Sequence, residues 1–141
     1  MPRWALLFLL LLGCSHHHNR AIVTQKADHY ISPDKKVDVE ILIEKDNNHD
    51  PQSYVGRVIL KPGTKIGKHI HKMSDEYLYF IKGTGVISIE GEEHQVKDGS
   101  TFYIPLGMKH SYTNTSKKTA VAIQFYTPAG PEQRFKVWKK K

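Results

Sequence analysis

Residues 63–83 read GTKIGKHIHKMSDEYLYFIKG, in the pattern Gly-x5-His-x-His-x4-Glu-x6-Gly. Successive side chains of a β-strand point to opposite faces, so His69 and His71 would point the same way and grip one cation from one side. Glu76 follows a predicted turn at residues 72–75 and can reach the same cation from the next strand. Imidazole nitrogen and carboxylate oxygen suit borderline divalent transition metals. This stretch therefore predicts part of a metal pocket inside a small β-barrel.

A second stretch, residues 99–114, reads GSTFYIPLGMKHSYTN in the pattern Gly-x5-Pro-x-Gly-x2-His-x3-Asn. Pro105 and Gly107 predict a tight turn that delivers His110 onto a distant strand, from which it would close the pocket. A single histidine is more often structural or exposed, and His-x-His by itself is a weak signal. The specific signal is the combination of ten residue identities in two ordered blocks.

Both stretches resemble the two sequence motifs of the cupin superfamily and match them at every motif position. The resemblance is close over residues 61–114 and looser in the flanking strands. It implies an all-β, single-domain cupin jelly-roll β-barrel, an architecture that closes or covers its sheet edges. We assign this domain to residues 31–141. The resemblance also implies a set of four metal ligands: His69, His71, Glu76 and His110.

The implied cofactor is a divalent transition metal ion, with Zn, Cu, Mn, Ni and Fe all open. Cupins include oxygenases, isomerases, lyases, storage proteins and ligand sensors, so the function must be argued from the site. One hypothesis is a small metal-dependent oxygenase, isomerase or lyase that acts on a small oxygen-rich molecule, with Glu76 or Tyr112 moving a proton. The alternative is a non-catalytic envelope protein that binds a metal or a small ligand.

The start of the chain predicts export from the cytoplasm. Arg3 precedes an apolar run at residues 4–12, which is too short to span a membrane and typical of a signal peptide. The run ends in Leu-Leu-Gly-Cys, which resembles a bacterial lipobox. Residues 1–13 would then be the signal peptide, and Cys14, the only cysteine of the chain, would carry the lipid. The alternative is an ordinary secretory signal in which Cys14 is incidental.

Lipidation would place the protein in the bacterial cell envelope. Ser15, and not an aspartate, follows Cys14, which by resemblance to lipoprotein sorting favours the outer membrane, with the protein facing the periplasm. Several acyl chains on one residue give stable anchoring. Residues 14–30 are interpreted as a flexible tether, whose three histidines at 16–18 are more typical of a spacer than of a metal site.

The composition of the chain fits one compact domain. A net charge of +7 comes from lysines scattered along the sequence, and no basic stripe alternates with aromatic residues, so we do not expect a nucleic-acid partner. A lone cysteine excludes an internal disulfide and a cysteine-based zinc cluster. The expected partners are a small molecule and, through the lipid, a membrane.

Alternating and apolar runs predict the strands of the barrel. Residues 37–43 are interpreted as an edge strand that covers the core. Residues 77–81 are apolar on both faces: one face would line the barrel beside Glu76, and the other must be covered by N-terminal strands or by a second subunit. The second possibility predicts a homodimer. Further strands are predicted at residues 55–60, 86–89, 94–96, 101–104, 110–115 and 119–127.

Counting by two from the predicted ligands gives candidates for the pocket wall. From His110 it selects Tyr112 and Asn114, and from Glu76 it selects Leu78 and Phe80. Two more aromatics, Tyr103 and Phe125, are plausible from neighbouring strands, although ordinary core packing is the alternative for every aromatic residue. Beyond the last strand, the rigid segment 128–135 would either bring Glu132 or Arg134 to the substrate or pack as a C-terminal arm.

Overall fold

The computed structural model describes residues 21–45 and 51–141. The predicted signal peptide, Cys14 and the first part of the predicted tether lie outside these residues. Within the described part, no helix has the length and apolarity needed to cross a bilayer. The elements are β1 (Asp28–Ile31), β2 (Val37–Ile43), β3 (Tyr54–Leu60), β4 (Lys65–His69), β5 (Asp75–Lys82), β6 (Gly85–Ile89), β7 (Glu92–Val96), β8 (Thr101–Ile104), β9 (His110–Thr113), β10 (Ala120–Thr127), a 3₁₀ helix (Pro131–Val137) and β11 (Lys139–Lys140).

The strands form two antiparallel sheets, which confirms the predicted jelly-roll barrel. The larger sheet has seven strands in the order β11-β1-β2-β3-β10-β5-β8, and the smaller has four in the order β4-β9-β6-β7. Strands distant in sequence are therefore neighbours in space, as β10 is with both β3 and β5. This arrangement lets residues from both sequence motifs meet inside the barrel.

The core lies between the inner faces of the two sheets. In β10, Ala120, Ala122, Gln124 and Tyr126 are buried, whereas the residues between them are more exposed. This period of two is expected for a strand with one face toward a core. The smaller sheet contributes buried residues such as Ile87 to the same apolar cluster.

Two predictions about the first strands need correction. Residues 37–43 form β2 as predicted, but β2 is an internal strand between β1 and β3 and not an edge strand. Strand β1 begins at Asp28, so the sheet starts inside the segment predicted to be the tether. The physical reason is Tyr30, which is buried in the core and aligned with Val39 of β2.

Candidate metal centre

Four side chains from the two sequence motifs meet inside the barrel. Each offers one nitrogen or oxygen atom, and these atoms all lie within 4.8 Å of one another. Three of the four residues are buried, and His69 is partly exposed. The residues are His69, His71, Glu76 and His110.

His69 is the last residue of β4, and His71 follows in the connection to β5. The two imidazoles are therefore not on one strand, as the sequence pattern suggested, although their ring centroids are only 5.0 Å apart. The pairing of β4 with β9 shifts between Ile66 and His69, so three steps on β4 match two on β9. An extra residue of this kind reverses the alternation of side chains. The irregularity allows both Ile66 and His69 to face the interior.

His110 is the first residue of β9 and pairs directly with His69. The predicted turn before it is present, with the Met108 amide donating to the Pro105 carbonyl at 3.2 Å. The Gly107 amide donates to the carbonyl of His71 at 2.8 Å. This bond joins the two motifs, because it fixes the backbone of one histidine against the turn that positions another.

Backbone carbonyls set the orientation of two imidazoles. His69 Nδ1 lies 2.8 Å from the Gly67 carbonyl, and His110 Nδ1 lies 2.9 Å from the Met108 carbonyl. A carbonyl can only accept a hydrogen bond, so each Nδ1 carries the hydrogen and each Nε2 presents a lone pair. A backbone carbonyl that accepts from the other ring nitrogen is the usual support for a metal-binding histidine.

Glu76 lies at the centre of the cluster and is held from its other side by Gln124. The Gln124 amide donates to Glu76 Oε1 at 2.6 Å. The other oxygen, Oε2, lies 2.8 Å from His110 Nε2 and 3.2 Å from His71 Nε2. Burial would raise the pKa of Glu76, but hydrogen bonds that the His110 and His71 imidazoles donate when they carry a hydrogen on Nε2, together with the Gln124 amide, outweigh burial and lower it. The carboxyl group is therefore held as the anion that a cation requires.

The donor set fits a divalent transition metal ion. The buried atoms Nε2 of His71, Nε2 of His110 and Oε2 of Glu76 have no hydrogen-bond partner. Buried polar atoms left unpaired are costly, and a cation between them would satisfy all three. Burial lowers the pKa of His69 to about 4, so its imidazole is neutral near pH 7 and able to bind a metal.

A cavity of about 320 Å³ adjoins the cluster. His69, Glu76 and His110 form part of its wall. Most of the remaining wall is apolar and comes from β2, β3, β5, β6 and β10: Val37, Val39, Val58, Leu60, Leu78, Phe80, Ile87 and Ala122. Such a cavity has the size and composition of a small-molecule site.

Tyr112 lines this cavity, but its hydroxyl group is directed away from the cluster. The hydroxyl donates to the carbonyl of Thr84 at 3.1 Å. On β6, the residue that pairs with His110 is Ile89, five residues further along the chain than Thr84. Burial raises the pKa of Tyr112 to about 12, which further disfavours proton transfer. These contacts give Tyr112 a structural role, whereas Glu76 remains beside the candidate metal position.

The other residues predicted for the pocket wall differ in which face of their strand they occupy. Leu78 and Phe80 line the cavity as predicted. Asn114 is buried, but its amide donates to the backbone carbonyls of residues 60, 61 and 118 and serves to fasten three chain segments. The assignment of Tyr103 and Phe125 was wrong, because both pair with Tyr77 on the outer face of the large sheet.

The segment after β10 contributes Arg134 to the cavity wall and does not contribute Glu132. Glu132 is buried, and its carboxylate accepts hydrogen bonds from the Gly130 amide and the Gln133 side chain. Sequence reasoning also missed Gln124 and Tyr126, whose ring centroid lies 4.8 Å from that of His71. The one available signal was a glutamine within the otherwise apolar run of residues 120–126.

The fold and the cluster define a small β-barrel protein whose three histidines and one glutamate could hold a metal ion. A family model described as "Cupin domain" matches residues 56–126, half of the chain, and the chain belongs to this family. The chain is similar to the polyketide synthase CurC of Streptomyces cyaneus, at 27% identity over 79 residues that cover 56% of this chain and 51% of CurC. It spans about half the length of the first curated relatives that it matches.

The chain is also similar to two other proteins. The oxalate-binding protein of Thermotoga maritima is 30% identical over 80 residues, which cover 57% of this chain and 66% of that protein. The structure of KdgF from Halomonas sp. superposes with a TM-score of 0.64 at 17% identity, covering 74% of this chain and 89% of KdgF. At that identity the structural similarity shows the fold and not the activity.

Proposed function

We propose that this protein is a metal-dependent cupin that takes a small oxygen-rich molecule into its barrel, as an oxygenase, isomerase or lyase. The observation that carries the proposal is the convergence of three unpartnered buried donor atoms, of which those of Glu76 and His110 belong to residues in the wall of a cavity. His69, His71, Glu76 and His110 would hold one divalent ion, with Zn, Cu, Mn, Ni and Fe as the candidates. When bound, the ion supplies a Lewis-acid centre.

The chain's own residues prepare the site for such chemistry. The Gly67 and Met108 carbonyls fix two imidazoles, and the Gln124 amide fixes Glu76. The apolar wall excludes water from the bound molecule, which strengthens electrostatic interactions inside the cavity. Glu76 is the candidate for moving a proton.

The decisive experiment is metal analysis of protein purified from its own envelope fraction. We expect a stoichiometric divalent transition metal, and spectroscopy on the same sample should show a coordination position open to water or to an added small molecule. A protein that binds none of the five candidate ions after dialysis against each would refute the proposal.

A non-catalytic binding function is the second candidate, and the hydrogen-bonding of the cavity favours it. The Tyr112 hydroxyl is bonded to a carbonyl, and Glu76 Oε1 is bonded to Gln124. A binding protein needs the ion and the cavity but no free acid or base. Retention of an unchanged ligand by metal-loaded protein over many hours would favour this function, and its conversion would favour the enzyme.

We further propose that the protein is a lipid-anchored component of the bacterial cell envelope, attached to the outer membrane through Cys14 and facing the periplasm. The support is the lipobox-like sequence and the position of the only cysteine. We also propose a homodimer, because the outer face of β5 is apolar and exposed.

A further inference from the structure

The cavity is divided into a polar end and an apolar body. Along β5, Glu76, Leu78 and Phe80 face inward in succession. At about 3.3 Å per residue, the level of Phe80 lies roughly 13 Å from the level of Glu76. Apolar side chains from β3 and β10, such as Leu60 and Ala122, surround the part remote from the cluster. A molecule that fills the cavity must therefore bury an apolar body as well as offer donor oxygens.

The charges at the cavity wall favour an anion. Among the described residues that line the cavity, Glu76 is the only acidic one, and Lys68 and Arg134 are both basic. A divalent cation at the cluster would more than offset the charge of Glu76. The polar end would then carry excess positive charge, which a neutral ligand would leave unpaired.

Arg134 is placed beside the cluster and not merely near the cavity entrance. Its Nη2 atom donates to the Tyr126 hydroxyl at 3.1 Å, and the Tyr126 ring packs against His71. The guanidinium also lies 5.0 Å from the ring centroid of Phe135. A guanidinium has five N–H donors, so several remain available to a ligand at the polar end. Arg134 itself is exposed, so it reaches the site from the barrel opening.

We propose that the ligand is an amphipathic carboxylate: a carboxylate with a second oxygen donor beside it, attached to an apolar chain or ring. The oxygens lie at the metal end with Arg134 as the specificity-determining residue, and the apolar body fills the barrel toward Phe80. This inference rests on the proposed function and narrows its substrate class. It also separates this protein from a site suited to oxalate, which has no apolar body.

A homologous series of 2-oxo acids tests the apolar part of the proposal. Calorimetric titration of the metal-loaded full chain with pyruvate, 2-oxobutyrate and the longer acids up to 2-oxooctanoate gives an affinity for each chain length. We expect affinity to rise about threefold to fourfold for each buried methylene until the cavity is full. An affinity that does not change with chain length, or oxalate binding more tightly than the longer acids, would overturn the proposal.

The variant Arg134→Gln tests the polar part. Loss of a charge-assisted hydrogen bond should weaken binding of every acid about tenfold or more. The increase in affinity for each added methylene should be the same as in the unmodified protein. Lys139→Gln removes one positive charge from the exposed strand β11, which is not part of the cavity wall, and should leave binding unchanged. Equal losses in the two variants, or no loss in Arg134→Gln, would refute the role of Arg134.

Metal content measured on the same samples separates the two proposals. A chain without metal contradicts the proposed function itself. A chain with stoichiometric metal that prefers oxalate, or that ignores chain length, contradicts only the amphipathic carboxylate. The chain-length series uses unmodified protein, so this result does not depend on the folding of any variant.

Discussion

At the residue scale, the four clustered side chains should act as one unit. Alanine in place of His69, His71, Glu76 or His110 removes one donor, and the remaining buried atoms lose the cation that would satisfy them. Loss of a residue that only supports a metal ligand typically weakens metal binding about 10–100-fold. We expect loss of a ligand itself to weaken metal binding by more than this. Metal analysis after dialysis measures this loss.

His94→Ala is the matched control for the ligand variants, because His94 lies on β7 outside the cluster. It should keep the full metal content. His110→Ala with undiminished metal would show that the site lies elsewhere. The barrel has its own apolar core besides these four residues, so far-ultraviolet circular dichroism should change little in the variants.

Gln124 should support metal binding without touching the ion. Gln124→Leu removes the donor to Glu76 Oε1 and leaves that oxygen buried and unpaired. The carboxylate would also lose the contact that fixes its orientation toward the cluster. We expect metal affinity to fall about 10–100-fold. The control is Gln95→Leu at an exposed position of β7, and equal affinities in the two variants would contradict this role.

The four ligand residues could be proposed from the sequence, because they occur at fixed spacings within two motifs. The residues that hold the ligands in place could not be proposed in this way. Gln124 supports Glu76 only because β10 pairs with β5 in one particular register. Strand register between segments almost 50 residues apart is not encoded in local alternation. The same limit explains the wrong assignment of Phe125, since a shift of one residue moves a side chain to the other face.

At the element scale, the connection from β5 to β6 depends on a glycine for two reasons. Gly83 has a φ of 120°, and a Cβ atom there would lie 2.3 Å from the Cβ of Ala120 in β10. Gly83→Ala would therefore combine backbone strain of about 1–3 kcal/mol with an overlap against a buried strand. We expect Gly83→Ala to lower the free energy of unfolding, which denaturant unfolding would show as a lower midpoint.

Gly91→Ala separates these two effects. Gly91 also has a positive φ, at 92°, but no atom lies within 4 Å of a Cβ built on it. This variant should show only the backbone cost and stay more stable than Gly83→Ala. If both variants lose the same stability, the approach of Ala120 is not what requires glycine at position 83.

Strand positions were largely predictable from alternation, but their order in the sheet was not. Apolar and polar residues alternate clearly in residues 37–43, which form β2. Nothing in the local sequence predicts that β1 pairs with the edge of β2. Strand β1 has four residues with one buried side chain, and its other neighbour is the two-residue strand β11 at the far end of the chain. Short strands with long-range partners carry too little pattern to be recognised alone.

At the scale of the whole molecule, the proposed anchor lies apart from the barrel in sequence. Cys14→Ser should abolish membrane association and leave a soluble form or an unprocessed precursor, because the acyl chains would no longer be attached. Fractionation after a carbonate wash measures this. Binding of metal should be unaffected, because all four candidate ligands lie between residues 69 and 110. A variant that still sediments with membranes would show that Cys14 is not the anchor.

The outer face of the large sheet exposes apolar side chains of β5. Tyr79 is 47% exposed and Tyr77 is 38% exposed, although both belong to the centre of an apolar strand. The described N-terminal strands β1 and β2 continue the same sheet beyond β3 and do not cover this face. Exposed contiguous apolar surface of this kind marks an interaction site, and a second copy can cover it by twofold symmetry.

We therefore expect the chain that begins after His18 to sediment as a dimer at micromolar concentration. Tyr79→Glu should convert it to a folded monomer with unchanged metal content, because this side chain faces away from the cavity and a buried carboxylate would be costly in the interface. Val137→Glu is the control, since Val137 is exposed on the 3₁₀ helix and outside this face. A monomeric unmodified chain at the same concentration would refute the dimer. Unfolding of Tyr79→Glu would instead mean that this side chain is buried within its own subunit, contrary to its exposure here.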